Sequence, residues 1–262
     1  MPARTANGSF NVNHNKEHAM LRKREDEELN ARQMGTTEES AIAMLSPDAE
    51  REIYLLYRDY FRAADSERQW NLWTDLSWDN APDGAPSKEL VDAALDIYKD
   101  LLFLPDYAAF GLARSRSSRG RAWFLTRWSY DEGKHLLTLN EWLVRRAGIP
   151  DSDLRAMGDA LLTEFRWTPP TADPETLLAD ALAWEISEIA RITSLETLAT
   201  QSGEAALAEG CRHMLADDNA HRRFLAGALA VIAKERPEET DAAVRHVESH
   251  APLVAALLTS TR

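Results

Sequence analysis

The sequence predicts an all-α fold, and three observations carry that expectation. Apolar residues recur at helical spacing along several long segments, no segment alternates with period two over a useful length, and no Asn-Gly or Asp-Gly pair joins two apolar runs as a hairpin turn. With 262 residues, 44% of them hydrophobic, the chain can bury a substantial core. Residues 1–46 read as a peripheral arm, because Glu17 to Arg32 is charged on nearly every face of any helix it could form. His14 and His18 are spaced i, i+4 in that arm and are assigned no chemistry. Residues 47–262 read as a single helical domain whose core bundle spans about 87–236.

Ser46-Pro47-Asp48 starts the first helix, with Ser as N-cap, Pro in the first turn and an acid beside the positive end of the helix dipole. Ile53, Leu56, Tyr57, Tyr60 and Phe61 form its apolar stripe. The aromatic stretch Trp70 to Asp79, followed by Pro82, Gly84 and Pro86, reads as a loop packed on the body. Ser87 caps a helix expected to run unbroken to about Ala113, and a turn at Ser115 to Ser118 leads to a second, Arg119 to about Ala147, stopped by Gly148 and Pro150. A crossover from 151 to 173 holds a short helix and ends in Pro169-Pro170. A third long helix then runs from Pro174 to Gln201, and past Ser202-Gly203 a fourth runs from Glu204 to Arg236. The remainder reads as one more helix, interrupted near Pro252. Two helical hairpins joined by a long crossover match the bundle type that houses carboxylate-bridged metal pairs.

Composition narrows the function. A net charge of −13 disfavours nucleic-acid binding, and the longest relevant apolar run, Phe224 to Ala233, is far short of the roughly 18 residues of a membrane-spanning helix. The N-terminus has no apolar core followed by a small-residue cleavage site, so a cytoplasmic location is expected. Cys211 is alone, so a metal would be held by nitrogen and oxygen ligands. Arg114, Arg116, Arg119, Arg121 and Arg127 gather around the Ser/Gly-rich turn, where they read either as a solvated corner or as a docking surface for an acidic partner.

The chemistry lies in two carboxylate-x-x-His pairs, Glu132 with His135 and Asp218 with His221, one in the second helix of each hairpin. Three residues apart on a helix, carboxylate and imidazole project from one face, and two such pairs form the two-fold frame of a dinuclear site. Counting from the second turn, Glu188 lies 13 residues before Gln201 and Asp218 lies 14 after Glu204, so the two face each other at one level, and Glu188 is the expected ligand from the third helix. Glu185, one turn away, suits a supporting or solvent-facing place. The same count in the first hairpin sets Asp100 opposite Glu132, although the stripe Leu90, Ala94, Ile97, Leu101, Leu104 and Ala108 points about 100° away from it. Asp106 misses the level by roughly 10 Å. Without metal, Glu132, Glu188 and Asp218 buried together would cost several kcal/mol per charge, about the scale of a buried unpaired ion.

Taken together, Arg127-Trp128, Asp131-Glu132-Gly133-Lys134-His135, Glu141-Trp142-Leu143-Val144, Leu104-Pro105-Asp106-Tyr107 and Ala216-Asp217-Asp218-Asn219-Ala220-His221 resemble the motifs of the soluble acyl-carrier-protein desaturases, a family of the ferritin-like superfamily. The resemblance covers roughly residues 70 to 235. It implies a ferritin-like bundle with two iron ions held by Glu132, His135, Glu188, Asp218 and His221, with Asp100 as a further candidate. It also implies O2 as co-substrate, a double bond introduced into an acyl chain on acyl-carrier protein, a ferredoxin-like electron donor and a homodimer. Glu132, Glu188 and Asp218 would be the catalytic carboxylates. Three positions depart from the family pattern: Asp218 stands for a glutamate, Leu101 falls where the first-helix glutamate belongs, and Arg191 replaces a threonine. Arg191 could pair with Glu188 or fix an anionic substrate. These departures leave room for a di-iron hydroxylase or N-oxygenase acting on a small biosynthetic intermediate, or for a non-catalytic ferritin-like metal-binding protein.

Overall fold

In the computed structural model, which describes residues 45–167 and 174–250, the expected helices form and no strand is present among the described residues. The expectations for the N-terminal arm, including His14 and His18, for Pro169-Pro170 and for the break near Pro252 lie outside the described residues. Helix α1 is Pro47–Ser66, α2 Lys88–Leu101, α3 Leu104–Ser115, α4 Arg119–Arg145, α5 Asp151–Glu164, α6 Pro174–Gln201, α7 Ala205–Glu235 and α8 Pro237–His250. Ser46 and Ser87 act as N-caps, each side chain accepting from a backbone N–H at 3.2 Å, from Ala49 and Leu90 respectively.

One expectation is corrected. The helix from Ser87 breaks at Leu102-Phe103 and restarts as α3, with Pro105 in its first turn. Pro105 has no N–H, and its ring would collide with the carbonyl of Leu101 in a continuous helix, so the chain re-initiates there. Between α6 and α7 the turn closes tightly: Gly203 adopts φ 72° while Glu204 N–H bonds the carbonyl of Ala199 at 2.9 Å.

The buried stripe of α6 reads Leu178, Leu182, Glu185, Glu188, Ile192 and Leu195, an apolar helix face with two acids in its middle. Helix α7 repeats the pattern, with Cys211 and Met214 before Asp217, Asp218 and His221, and Phe224, Ala228 and Ile232 after them. Two apolar layers result. One, toward the α3–α4 turn, contains Phe124, Trp128, Leu182 and Phe224; the other contains Leu90, Leu139, Trp142 and Ile192. The acids and histidines lie between these layers and are shielded from water by both. The loop Trp70 to Asp79 seals one side, with Trp70, Leu72 and Leu76 packed on Ala206. Helix α1 lies across α4 and α7, close enough for Gly120 to pass over it: a Cβ on Gly120 would stand 2.8 Å from the backbone of Ile53. No described helix is long and apolar enough to cross a membrane.

Candidate metal centre

Glu132, Glu185, Asp218 and His221 each offer a ligand atom, and these atoms all lie within 4.8 Å of one another in a fully buried group. His135 completes the set, with Nδ1 3.3 Å from Glu132 Oε2 and 3.5 Å from Asp218 Oδ1. His221 Nδ1 stands 3.2 Å from Glu132 Oε1, 3.4 Å from Glu185 Oε1 and 3.7 Å from Asp218 Oδ1. Both rings therefore turn Nδ1 to the centre.

The outward nitrogens meet a second pair of acids in a crossed pattern. His221 Nε2 is 3.6 Å from Asp131 Oδ2 on α4, and His135 Nε2 is 3.6 Å from Asp217 Oδ2 on α7. Each helix thus contributes a central carboxylate, and the acid just before it faces the outer nitrogen of the other helix's histidine. A histidine anchored on one side this way keeps its other nitrogen free for a metal.

The anchoring acids are themselves held. Asp131 accepts from Tyr60 Oη at 3.0 Å and Arg127 Nε at 3.2 Å, while Asp217 accepts from Trp70 Nε1 at 2.9 Å. Lys134 Nζ lies 3.4 Å from both acids, bridging the two halves. Burial pushes Asp131 up, but His221, Lys134 and Arg127 outweigh it and hold this carboxyl well below its usual range. Trp128 Nε1 donates to Glu185 Oε1 at 2.7 Å. Sequence reasoning missed the roles of Tyr60, Trp70, Asp131, Asp217, Lys134 and Arg68, whose Nε lies 3.7 Å from Asp217 Oδ1. The available signal was the acid doublet preceding each x-x-His, Asp131-Glu132 and Asp217-Asp218.

Apart from that bond to Glu185 Oε1, the central group has no such partners. Both carboxylate oxygens of Glu132 and of Asp218, one of Glu185, and both nitrogens of each histidine are buried without a hydrogen bond. Burial disfavours charge on Asp218, with Glu132 and Glu185 adding to it, so its carboxyl is raised well above the usual range. Burial opposes charge on the imidazoles as well, yet the surrounding acids outweigh it and raise both His135 and His221. Such a concentration of orphaned polar atoms is rare in proteins, and divalent ions would satisfy it, since hard oxygens and imidazole nitrogens converge on one point.

The expected residues come together unequally. Glu132, His135, Asp218 and His221 converge. Glu185, set aside on the level count, belongs to the central group, whereas Glu188 lies one turn nearer the hairpin turn with one oxygen on Arg191 Nη2. Both acids lie on the inner face of α6, so level alone could not choose between them, and Arg191 draws Glu188 aside. Of the two roles open to Arg191, pairing with Glu188 is the one the geometry shows. Asp100 does not reach the centre. Leu101, 1% exposed, takes the inward face of α2, and Asp100, its side chain 47% exposed, accepts from Arg191 Nη1 at 2.5 Å. Asp106 is also elsewhere, accepting from the backbone of Trp167 at 3.1 Å.

No protein-family description matches the chain, and no curated protein sequence matches it. A search of solved structures finds the X-ray structure of the "putative acyl-ACP desaturase DesA2" from Mycobacterium tuberculosis H37Rv, with a TM-score of 0.50, 16% identity and 77% of each chain covered. The chain shares that protein's ferritin-like fold. Within this ferritin-like body an apolar cavity of about 300 Å³ opens between α3, α4, α6 and α7. Glu185 and Trp128 mark its inner end, Phe124, Leu125 and Phe224 its wall, and Arg114 and Ser115 the end nearest the α3–α4 turn. Along α6 it extends from Glu185 to Leu177, eight residues or about 12 Å. The arginine cluster at that turn is partly corrected. Arg121 is buried, with Nη2 2.9 Å from Glu50 Oε1, because the junction of α1 with α4 needs its charge; Arg116 and Arg119 are exposed.

Proposed function

We propose that the protein is a non-haem di-iron oxidoreductase that uses O2 to desaturate an acyl chain carried by acyl-carrier protein. The carrying observation is the group of buried, unpartnered oxygen and nitrogen donors at the inner end of an apolar cavity. Glu132, Glu185 and Asp218, with His135 and His221 through Nδ1, would hold two iron ions. A reduced iron pair there would supply O2 activation strong enough to abstract hydrogen from an unactivated C–H bond. Desaturation removes two hydrogens from the chain and reduces O2 to two waters, so two further electrons and two protons are required, which a ferredoxin-like donor and solvent would provide.

The chain's own residues perform the rest. Asp131 and Asp217 orient the imidazoles, and Lys134, Arg127 and Arg68 balance those outer acids so that the inner ones are left for the metals. Phe124, Trp128, Phe224 and Leu225 exclude water and would align an apolar chain toward Glu185. Arg116 and Arg119, exposed at the α3–α4 turn, would dock the acidic carrier.

Anaerobic reconstitution with ferrous iron followed by O2, monitored by optical and Mössbauer spectroscopy, tests the reading. About two irons per chain are expected, converting to a coupled ferric pair, with loss of iron in His135→Ala and His221→Ala. Iron content that ignores both substitutions would refute it. Acyl-carrier-protein binding then separates carrier-bound acyl chains from small free substrates.

A further inference from the structure

The two halves of the centre are unequal. On the His221 side, α6 supplies Glu185, 3.4 Å from Nδ1. The crossed symmetry of the hairpins calls for a matching carboxylate on the His135 side from α2. Yet the buried residues of α2 are Leu90, Ala94, Ile97, Tyr98 and Leu101, and Asp100 is half-exposed on the outside. Glu188 is the next buried acid on the inward face of α6, one turn from Glu185. It is 1% exposed, and Arg191, Glu132 and His135 are among the charges that act on it. Its Oε2 rests on Arg191, and its Oε1 is buried without a partner.

We infer that α6 carries both terminal carboxylates of the centre, Glu185 for the ion at His221 and Glu188 for the ion at His135, and that Arg191 is the rest position from which Glu188 swings. This rests on the two-metal reading above. Charge supports it: Glu132, Asp218 and Glu185 bring three negative charges against the four positive charges of two divalent ions, and Glu188 brings the fourth. Releasing Glu188 strands no cation, because Arg191 keeps Asp100, 2.5 Å away on α2. Asp100 thus serves the centre indirectly, by holding the guanidinium when Glu188 leaves it. The metal at His135 is then the more weakly held of the two, since its carboxylate must first give up an ion pair.

Anaerobic Fe(II) titration against a chromogenic chelator, with circular dichroism as a folding control, separates the possibilities. The wild type should bind two ions in distinguishable steps. Glu188→Ala should keep the tight ion and weaken the second at least about tenfold, and the same-shaped Glu188→Gln should do likewise if the alanine variant folds poorly. Arg191→Met should move in the opposite direction and tighten the second ion several-fold. An ion pair of merely structural use would instead make the Glu188 and Arg191 variants lose together. Two ions bound to both Glu188 variants with wild-type affinity, or parallel losses in the Glu188 and Arg191 variants, would overturn the inference while leaving the two-metal centre standing. Failure of the wild type to take up a pair would overturn the centre itself.

Discussion

Replacing Asp131 by alanine isolates the support beneath one histidine. The side chain is wholly buried and accepts from Tyr60 and Arg127, with Lys134 Nζ at 3.4 Å and His221 Nε2 at 3.6 Å. Its loss leaves the buried Tyr60 hydroxyl without its acceptor and two cations with less compensation. Lys134 keeps Asp217 at 3.4 Å, and Arg127 is partly open to solvent at 16%, so the destabilisation should approach the lower part of the roughly 3–5 kcal/mol seen when one partner of a buried ion pair is removed. At about 2–4 °C per kcal/mol for a domain of this size, the metal-free melting temperature should fall by about 6–12 °C. The asparagine variant, which retains an acceptor for Tyr60, should lose less. Because the folded state holds the pKa of Asp131 below its unfolded value near 3.8, its stabilisation is present above that value and fades as pH drops below it; the gap between wild type and Asp131→Asn should narrow there. Calorimetry at pH 7 and pH 3.5, paired with metal titration, checks both arms. Iron affinity at the His221 side should fall about 10- to 100-fold. A melting temperature for Asp131→Ala within about 2 °C of wild type would refute the reasoning, because the uncompensated charge would then cost almost nothing.

Three further outcomes are expected. Gly120→Ala should lower stability by about 1–3 kcal/mol or more in thermal unfolding, since its Cβ would stand 2.8 Å from the backbone of Ile53, which cannot yield as a flexible side chain can. Ala181→Trp, filling the cavity one turn from Glu185, should weaken acyl-chain binding at least about tenfold with metal content unchanged, measured by calorimetric titration and metal analysis. Charge reversal at exposed Arg116 and Arg119 should weaken acyl-carrier-protein binding in a salt-dependent way, while Arg121→Glu should chiefly destabilise the fold, because Arg121 is held by Glu50; surface-binding kinetics and melting curves distinguish the two.

Much of the centre was legible in the chain. Two carboxylate-x-x-His pairs at helical spacing must present their ligands on one face, whatever surrounds them, and the hairpin arrangement brings the faces together. Pro47, Ser87, Gly148 and Gly203 marked helix ends through local backbone chemistry alone. The choice between Glu185 and Glu188 was not legible. Both are buried on α6, and only the position of Arg191, which also pairs with Asp100 from 91 residues earlier, decides which of them is drawn aside. Tyr60 was equally hidden: its stripe announced a buried aromatic, but its hydroxyl finds Asp131 only because Gly120 lets α1 lie close on α4.

By itself, then, the sequence determined the all-helical class, the helix ends at Ser46-Pro47, Ser87, Gly148 and Gly203, and the paired spacing of Glu132 with His135 and of Asp218 with His221. These follow from periodicity and backbone restriction, which act within a few residues. The tertiary structure alone decided which acid of α6 lies within the converging group and which rests on Arg191, that Asp100 turns outward while Leu101 turns inward, and that Asp131 and Asp217 cross over to face the opposite histidines. Those outcomes depend on helix rotation, on competition between ion pairs and on contacts between distant segments, and none of these is fixed until the helices pack.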